Sequence, residues 1–136
     1  MKIARKDYRR RANAISKCRL GVGVDIELID RFRMLNKVEH RSFLKMIFTK
    51  KEHAYCFSKQ YPAPHLAVRF CAKEATVKAL AGVGIHKISY RDIEITNDQK
   101  GVPAVKVRLK DQKVKVFVSL SHADHYAIAF AIVCRI

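Results

Sequence analysis

The feature that most restricts the fold is one long helical segment, residues 66–81. Its apolar side chains recur at helical spacing, and the stripe that they form contains Leu66, Phe70, Val77 and Ala81. Pro62 and Pro64 precede the segment and are expected to break the chain, whereas Gly82 and Gly84 are typical of a helix end. We therefore expect one long helix in the middle of the chain.

Alternating segments on both sides of this helix are typical of strands. In residues 20–28 one face is apolar, and we expect it to be buried; it carries Val22, Val24, Ile26 and Leu28. The other face carries Gly21, Gly23, Asp25 and Glu27. Further strands are predicted at 89–96, 104–109, 114–120 and 126–133, with a hairpin turn over 98–101. Shorter helices are predicted at 29–37 and, after the capping pair Thr49 and Glu52, up to residue 58.

These elements predict an α+β fold in which an antiparallel sheet packs against one long helix. The 136 residues suffice for one ordinary domain. Residues 1–20 hold eight basic side chains and one acidic side chain. We therefore divide the chain into a basic N-terminal extension, residues 1–19, and a single domain, residues 20–136.

The formal net charge of +16 indicates anionic partners such as phosphorylated cofactors, an acidic protein, an acidic membrane or nucleic acid. A small basic nucleic-acid-binding protein is one alternative. Against it, the sequence shows no pattern of the common nucleic-acid-binding modules. No apolar run reaches the ~20 residues that a membrane helix needs, so we expect no membrane association.

The four cysteines form no CxxC pair, and we expect reduced, partly buried thiols in a cytoplasmic protein. The first residues are rich in arginine and poor in acids, which fits either an organelle transit peptide or a solvated extension. We expect the solvated extension and a cytoplasmic location.

Two acidic residues are candidates for binding a cation. Asp25 lies within a predicted strand beside glycines, where a ligand or another backbone can approach closely. Glu74 lies about 40° around the helix from Phe70, the centre of the apolar stripe, and so needs a counter-charge, a metal or water. Lys78, four residues further on, lies on the same helix face as Glu74. A solvent-exposed Asp25 and an ordinary surface pair between Glu74 and Lys78 are the simpler alternatives.

A third candidate is the run Ser119–His122, which leaves a strand at a turn. Its hydroxyl groups and imidazole could bind an anion, although such residues often satisfy only the backbone of the turn. Together with the acids and lysines, they suggest phosphoryl transfer, because carboxylates hold Mg²⁺ and basic side chains hold the remaining phosphates.

The order of these motifs resembles the holo-[acyl-carrier-protein] synthase family, the small bacterial class of 4′-phosphopantetheinyl transferases. The resemblance covers residues 20–136. The matching motifs are Gly21-Val-Gly-Val-Asp25-Ile-Glu27, Phe48-Thr49-x-x-Glu52, Arg69-Phe-x-Ala72-Lys73-Glu74-Ala75-x-x-Lys78, Asp92-Ile-Glu94-Ile, Gly101-x-Pro103 and Ser119-x-Ser121-His122. The sequence departs from the family pattern at residues 81–84, which read Ala-Gly-Val-Gly where the family usually has a Gly-Thr-Gly-like stretch. This difference affects the expected local contacts with phosphate or adenine, not the expected reaction class.

The resemblance implies transfer of 4′-phosphopantetheine from coenzyme A to a serine of apo acyl carrier protein, with release of 3′,5′-ADP, for fatty acid biosynthesis. It also implies a Mg²⁺ cofactor and a homotrimer with active sites between subunits. By this resemblance Glu74 and Lys78 are the catalytic candidates, and Asp25 and Glu74 are the metal ligands. Coenzyme A binding is implied for Asp25, Arg69, Lys73, Lys78, Ser121 and His122.

Docking of an acidic carrier protein is expected on a basic segment after the first strand. Arg31 matches a docking arginine of the family, and the neighbouring candidates are Arg33, Lys37, Arg41 and Lys45. A non-catalytic protein that binds coenzyme A is a further alternative, and only turnover separates it from an enzyme.

Overall fold

The computed structural model describes residues 18–136. The strands are β1 (Arg19–Leu28), β2 (Ile93–Asn97), β3 (Pro103–Val107), β4 (Val114–His122) and β5 (Tyr126–Arg135). The helices are α1 (Asp30–Arg33), α2 (Arg41–Ile47), α3 (Lys50–Phe57) and α4 (Pro62–Gly82), and a short 3₁₀ helix spans Tyr90–Asp92. All but the last two residues of the predicted basic extension, 1–19, lie outside the described residues.

The long helix, α4, packs across β1 and β5 and forms the centre of the core. It begins at Pro62, four residues earlier than predicted. Pro62 and Pro64 do not break the chain but occupy the first turn, where a missing N–H costs nothing because no helical carbonyl would accept from it. The predicted helix at 29–37 is shorter, ending at Arg33, and α2 was not predicted.

The strands form two antiparallel sheets. A three-stranded sheet has the order β1–β5–β4, and β2 and β3 form a separate two-stranded hairpin. In the larger sheet, Asp25 pairs with Ala129 and Glu27 with Ala127, while Ala127 pairs on its other side with His122. The α+β fold with an antiparallel sheet against one long helix is confirmed, with β5 as the predicted central strand.

The buried face of β1 is the opposite of the one predicted from the sequence. Gly21 and Gly23 are buried against α4, whereas Val22 is 63% exposed and the other apolar side chains of that face are exposed as well. The physical reason is close packing: a Cβ on Gly21 would lie 1.9 Å from the carbonyl oxygen of Ala79. Only glycine lets the helix backbone approach the strand this closely.

A buried ionic network ties the smaller elements to α4. Thr49 and Glu52 form the predicted capping box at the start of α3. Glu52 also accepts a hydrogen bond from the Ile95 amide, 2.8 Å away, and pairs with Lys73 of α4 at 2.9 Å, with both side chains 0% exposed. One carboxylate thus joins α3, β2 and the long helix.

The cysteines only partly follow the expectation of reduced thiols. Cys56 and Cys71 are free and buried, and burial raises the pKa of each thiol to about 12. Cys18 and Cys134 are joined by a disulfide, with their Cα atoms 5.9 Å apart. No helix within residues 18–136 is long and apolar enough to cross a membrane.

Candidate active site

A cluster of three carboxylates lies where the glycine face of β1 ends. Asp25 and Glu27 continue that face, and both are partly buried. Burial is the main cause that raises the pKa of Glu27, against the lowering effect of the Arg31 guanidinium. The carboxylates of Asp25 and Glu74 raise it further, because nearby negative charges disfavour the charged form of Glu27.

Lys78 brings a positive charge to this cluster from α4. Its ammonium group donates hydrogen bonds to Asp25 Oδ1 and to the Val24 carbonyl oxygen, each at 2.9 Å. The hydrogen bond to Asp25 is the main cause that raises the pKa of Lys78. Because the Lys78 side chain is 51% exposed, its charge faces both Asp25 and the solvent. The fold thus brings these two candidate residues, 53 positions apart in the chain, into direct contact.

Asp25 has one carboxylate oxygen that a hard divalent cation could meet. The other oxygen of Asp25, Oδ2, is buried and has no hydrogen-bond partner within the described residues. A buried carboxylate oxygen without a partner is unfavourable unless a metal or another donor meets it. Within residues 18–136 no three acidic, histidine or cysteine side chains are arranged so that together they could hold one metal ion, but Mg²⁺ commonly takes only one or two carboxylates together with substrate phosphates and water.

Glu74 is held by a residue that the sequence analysis missed. The phenolic hydroxyl of Tyr90 donates a hydrogen bond to Glu74 Oε1. Burial and this hydrogen bond raise the pKa of Tyr90 to about 12, so the phenol keeps its proton near neutral pH. The Tyr90 ring also packs against Phe70, with ring centroids 5.9 Å apart. Tyr90 lies just before β2 and contacts Glu74 only through the tertiary fold. No local sequence motif therefore indicates this contact.

Lys73 was predicted to bind coenzyme A, and the structure corrects this prediction. Its ammonium group pairs with Glu52 and donates hydrogen bonds to the carbonyl oxygens of Tyr90, at 2.7 Å, and Ile93. An ammonium group has three donors, so all of them are used inside the protein. The desolvation of this site lowers the pKa of Lys73, while the Glu52 carboxylate raises it. Lys73 has no exposed surface to offer a phosphate.

Arg69 is buried beside a small cavity. Its guanidinium donates a hydrogen bond to Asn97 Oδ1 at 2.8 Å and lies 3.9 Å from the ring centroid of Tyr55. The Arg69 Nε atom is buried without a partner within the described residues. The cavity has a volume of about 220 Å³, and Arg69, Tyr55 and Asn97 contribute to its lining. An anion entering this cavity would find a preformed guanidinium.

Ser121 and His122 stand at the end of β4 and are both exposed. Consecutive residues of a strand point to opposite faces, so the two side chains cannot act on one ligand from the same side of the sheet. His122 shares the α4-facing side with Glu27, but Ala127 lies between them in the register. One chain therefore does not bring His122 into contact with the carboxylates.

Three of the predicted docking residues line a basic cleft. Lys37, Arg41 and Lys45 border a cavity of about 410 Å³ together with Phe48, Thr49, Lys50, His53 and Arg91. None of these lining residues, all in the described part of the chain, is acidic. Arg31 and Arg33 lie outside the cleft, where Arg31 pairs with Glu27 and Arg33 pairs with Asp30 at 2.6 Å. Arg31 thereby links the docking segment to the acidic cluster.

The fold and the acidic cluster define a known class. Residues 21–131 match the family model described as ACPS, the 4′-phosphopantetheinyl transferase superfamily. The chain belongs to this superfamily and, within it, to the holo-[acyl-carrier-protein] synthase family.

Individual relatives agree with this assignment. A holo-[acyl-carrier-protein] synthase of Protochlamydia amoebophila is 47% identical over 118 residues, which cover 83% of this chain and 96% of the relative. The ACPS–CoA complex of Chronobacterium ammoniagenes has the same fold, with a TM-score of 0.72 over 86% of this chain and 98% of that one, at 24% identity. The holo-[acyl-carrier-protein] synthase of Helicobacter pylori, solved with coenzyme A, has a TM-score of 0.69 and 27% identity over 82% and 98% of the chains.

Proposed function

We propose that this chain transfers the 4′-phosphopantetheine group of coenzyme A to a serine of apo acyl carrier protein and releases 3′,5′-ADP. The observation that carries the proposal is the Lys78 ammonium hydrogen-bonded to Asp25 within a cluster that Glu74 completes. Membership of the holo-[acyl-carrier-protein] synthase family supports the same reaction. In this reaction the serine oxygen forms a bond to the phosphorus that carries pantetheine, and the bond from that phosphorus to 3′,5′-ADP breaks.

We assign the metal-binding role to Asp25 and Glu74. A bound Mg²⁺ would supply positive charge to the pyrophosphate, as in other phosphoryl transfers. The buried Oδ2 of Asp25, which has no hydrogen-bond partner among residues 18–136, supports this assignment. We assign to Lys78 the stabilisation of the negative charge that grows on the leaving phosphate; its half-exposed ammonium group beside Asp25 supports this role. Glu74 is the candidate base for the serine proton, with a water molecule as the alternative.

Coenzyme A binding is proposed at several of the predicted residues. Arg69 could receive the negatively charged 3′-phosphate end, since the Nε of its buried guanidinium lies beside a cavity and has no partner in the described part of the chain. Ser121 and His122 remain proposed contacts. Their separation from the acidic cluster within one chain fits a site that is shared between subunits, to which His122 of a neighbouring copy would contribute.

An exposed apolar sheet face supports such an assembly. The side of the three-stranded sheet that faces away from α4 carries a continuous set of exposed apolar side chains: Leu20, Val22, Val24, Ile26, Leu28, Phe117, Tyr126, Ile128 and Phe130. A contiguous apolar patch of this kind marks an interaction surface. We propose that copies of this chain cover it in a homotrimer; light scattering of the intact protein would measure the subunit number.

The basic cleft is the proposed docking surface for the acidic carrier. Its positive lining without acidic residues favours an acidic helix and would steer the encounter. A nucleic acid could also be attracted to this cleft, but that alternative gives no role to Asp25 or Glu74. We propose a cytoplasmic location and no membrane or nucleic-acid partner.

One assay tests the function. The protein is mixed with coenzyme A, Mg²⁺ and an apo acyl carrier protein, and the carrier is weighed by mass spectrometry. We expect the carrier to gain the mass of one phosphopantetheine group. A serine-to-alanine carrier serves as the control and should gain nothing. Binding of coenzyme A without any change in carrier mass would contradict the proposal and indicate a non-catalytic binder.

A further inference from the structure

Two consecutive residues of α4, Lys73 and Glu74, form hydrogen bonds with the same tyrosine, Tyr90. Lys73 donates a hydrogen bond to the backbone carbonyl of Tyr90 at 2.7 Å, and Glu74 accepts a hydrogen bond from the Tyr90 hydroxyl. Lys73 also bonds to the Ile93 carbonyl. The buried ammonium group therefore contacts both ends of the turn that begins at Tyr90.

This turn is fixed from several directions. Lys73 is itself anchored by Glu52, whose carboxylate also accepts from the Thr49 and Ile95 amides at 2.8 Å each. Ser89 caps the 3₁₀ helix by accepting from the Arg91 amide. Hydrogen bonds from the buried Lys73 ammonium group thus fix the backbone around Tyr90. The Tyr90 hydroxyl therefore reaches Glu74 from a well-anchored segment.

We propose that Tyr90 is a positioning residue that holds the Glu74 carboxylate in the orientation needed to meet a cation beside Asp25. This inference rests on the metal-binding role proposed above for Glu74. The hydrogen bond engages Oε1, which leaves the second carboxylate oxygen for the cation. Groups that hydrogen-bond to metal ligands fix the ligand orientation, and their removal typically weakens metal affinity or activity roughly 10–100-fold.

The substitution Tyr90→Phe tests this role. It removes only the hydroxyl and keeps the ring that packs against Phe70, so we expect a folded protein. Mn²⁺ alone is titrated into the full-length protein and followed by electron paramagnetic resonance. We expect the Mn²⁺ dissociation constant to rise roughly 10-fold. The matched control is Tyr61→Phe, because Tyr61 is exposed outside the site and its variant should bind Mn²⁺ as the wild type does.

Transfer kinetics separate this inference from the proposed function. With an active wild type, Tyr90→Phe should raise the Mg²⁺ concentration needed for half-maximal rate, and excess Mg²⁺ should restore part of the rate. An active Tyr90→Phe protein with unchanged Mn²⁺ affinity and unchanged Mg²⁺ dependence would overturn the role of Tyr90 and leave the transferase intact. An inactive wild type would instead contradict the transferase, and the Mn²⁺ titrations would still decide whether Tyr90 supports the metal site.

Discussion

Gly23 lies directly against the backbone of Ala75: a Cβ built on Gly23 would lie 2.0 Å from the Ala75 carbonyl oxygen. Since a backbone carbonyl cannot move away as a flexible side chain can, Gly23→Ala must separate β1 from α4. We expect a loss of about 1–3 kcal/mol of unfolding free energy, or more. Urea denaturation followed by circular dichroism would measure it.

Gly82→Ala is the comparison for that experiment. A Cβ on Gly82 would meet the Cα of Gly21 at 3.3 Å, which requires only a small adjustment, and at the last residue of α4 the helix preference of alanine over glycine contributes little. We expect a much smaller effect than for Gly23→Ala. Equal stability of wild type and Gly23→Ala would show that the helix and strand do not pack as closely as described.

The second prediction concerns the metal ligands. Asp25→Asn keeps the shape of the side chain and can still accept the Lys78 hydrogen bond, but it removes the charge that would hold Mg²⁺. We expect Asp25→Asn and Glu74→Gln to fold and to lose most transferase activity, and chelation of Mg²⁺ to abolish activity in the wild type. Steady-state rates over a Mg²⁺ series would measure this. A variant with a near-normal rate at saturating Mg²⁺ would remove its residue from the metal site.

The third prediction concerns Lys78, whose charge should matter most as the pyrophosphate bond breaks. Lys78→Ala should lower kcat by roughly 100-fold, the effect typical of one lost transition-state donor, and should change the coenzyme A KM much less. Lys100→Ala, at the exposed hairpin between β2 and β3, is the matched control and should be neutral. A raised KM with normal kcat would make Lys78 a binding residue only.

Local signals predicted some of this molecule well. The pair Thr49 and Glu52 marks the start of α3 because capping depends on residues three positions apart. The residues 98–101 mark the β2–β3 hairpin for the same reason: the turn is set by its own sequence. Asp25 and Lys78, 53 positions apart, were linked by family motifs rather than by spacing, and the fold brings them into contact.

Other features depend on tertiary packing that sequence patterns do not encode. Alternation predicts that β1 has two different faces, but it cannot decide whether a helix covers the valines or the glycines. The motif that contains Lys73 suggested a phosphate ligand, whereas the fold buries this residue opposite Glu52. Tyr90 reaches Glu74 across 16 positions, and no local pattern indicates that contact.

The fourth prediction concerns stability at mildly acidic pH. Burial is the main cause that lowers the pKa of His65 and that of His53, with nearby cations adding to it. Because each folded-state pKa lies below the ordinary value of about 6.5, the unfolded chain binds protons first as the pH falls. The contribution of these two histidines to the free energy of unfolding is therefore full above about pH 6.5 and is lost as the pH falls through their folded-state pKa values.

Thermal unfolding of the wild type and of the double variant His53→Gln/His65→Gln, from about pH 7.5 to about pH 5.5, would measure this effect. The difference between the two proteins cancels the titration of other groups, such as Glu27, whose raised pKa acts in the opposite direction. We expect the melting temperature of the double variant to depend less on pH. Parallel curves would mean that the two histidines do not contribute.

The last prediction concerns the carrier surface. Arg41 and Lys45 line the basic cleft, and both are exposed. Exposed charge pairs contribute ~0.2–1 kcal/mol each, so Arg41→Ala or Lys45→Ala should raise the carrier KM about 1.4- to 5-fold at low salt. Screening should shrink this effect at moderate salt. The coenzyme A KM should change much less, and steady-state kinetics against both substrates at two salt concentrations would measure this.

Arg31→Ala should behave differently from the cleft variants, because Arg31 pairs with Glu27 beside the acidic cluster. We expect it to raise the carrier KM and also to lower kcat, whereas Arg41→Ala and Lys45→Ala should leave kcat nearly unchanged. Lys100→Ala removes the same charge from the remote β2–β3 hairpin and corrects for the general loss of positive charge. If all three docking variants keep the wild-type carrier KM at both salt concentrations, the carrier must bind elsewhere, and the basic N-terminal residues would be the next segment to test.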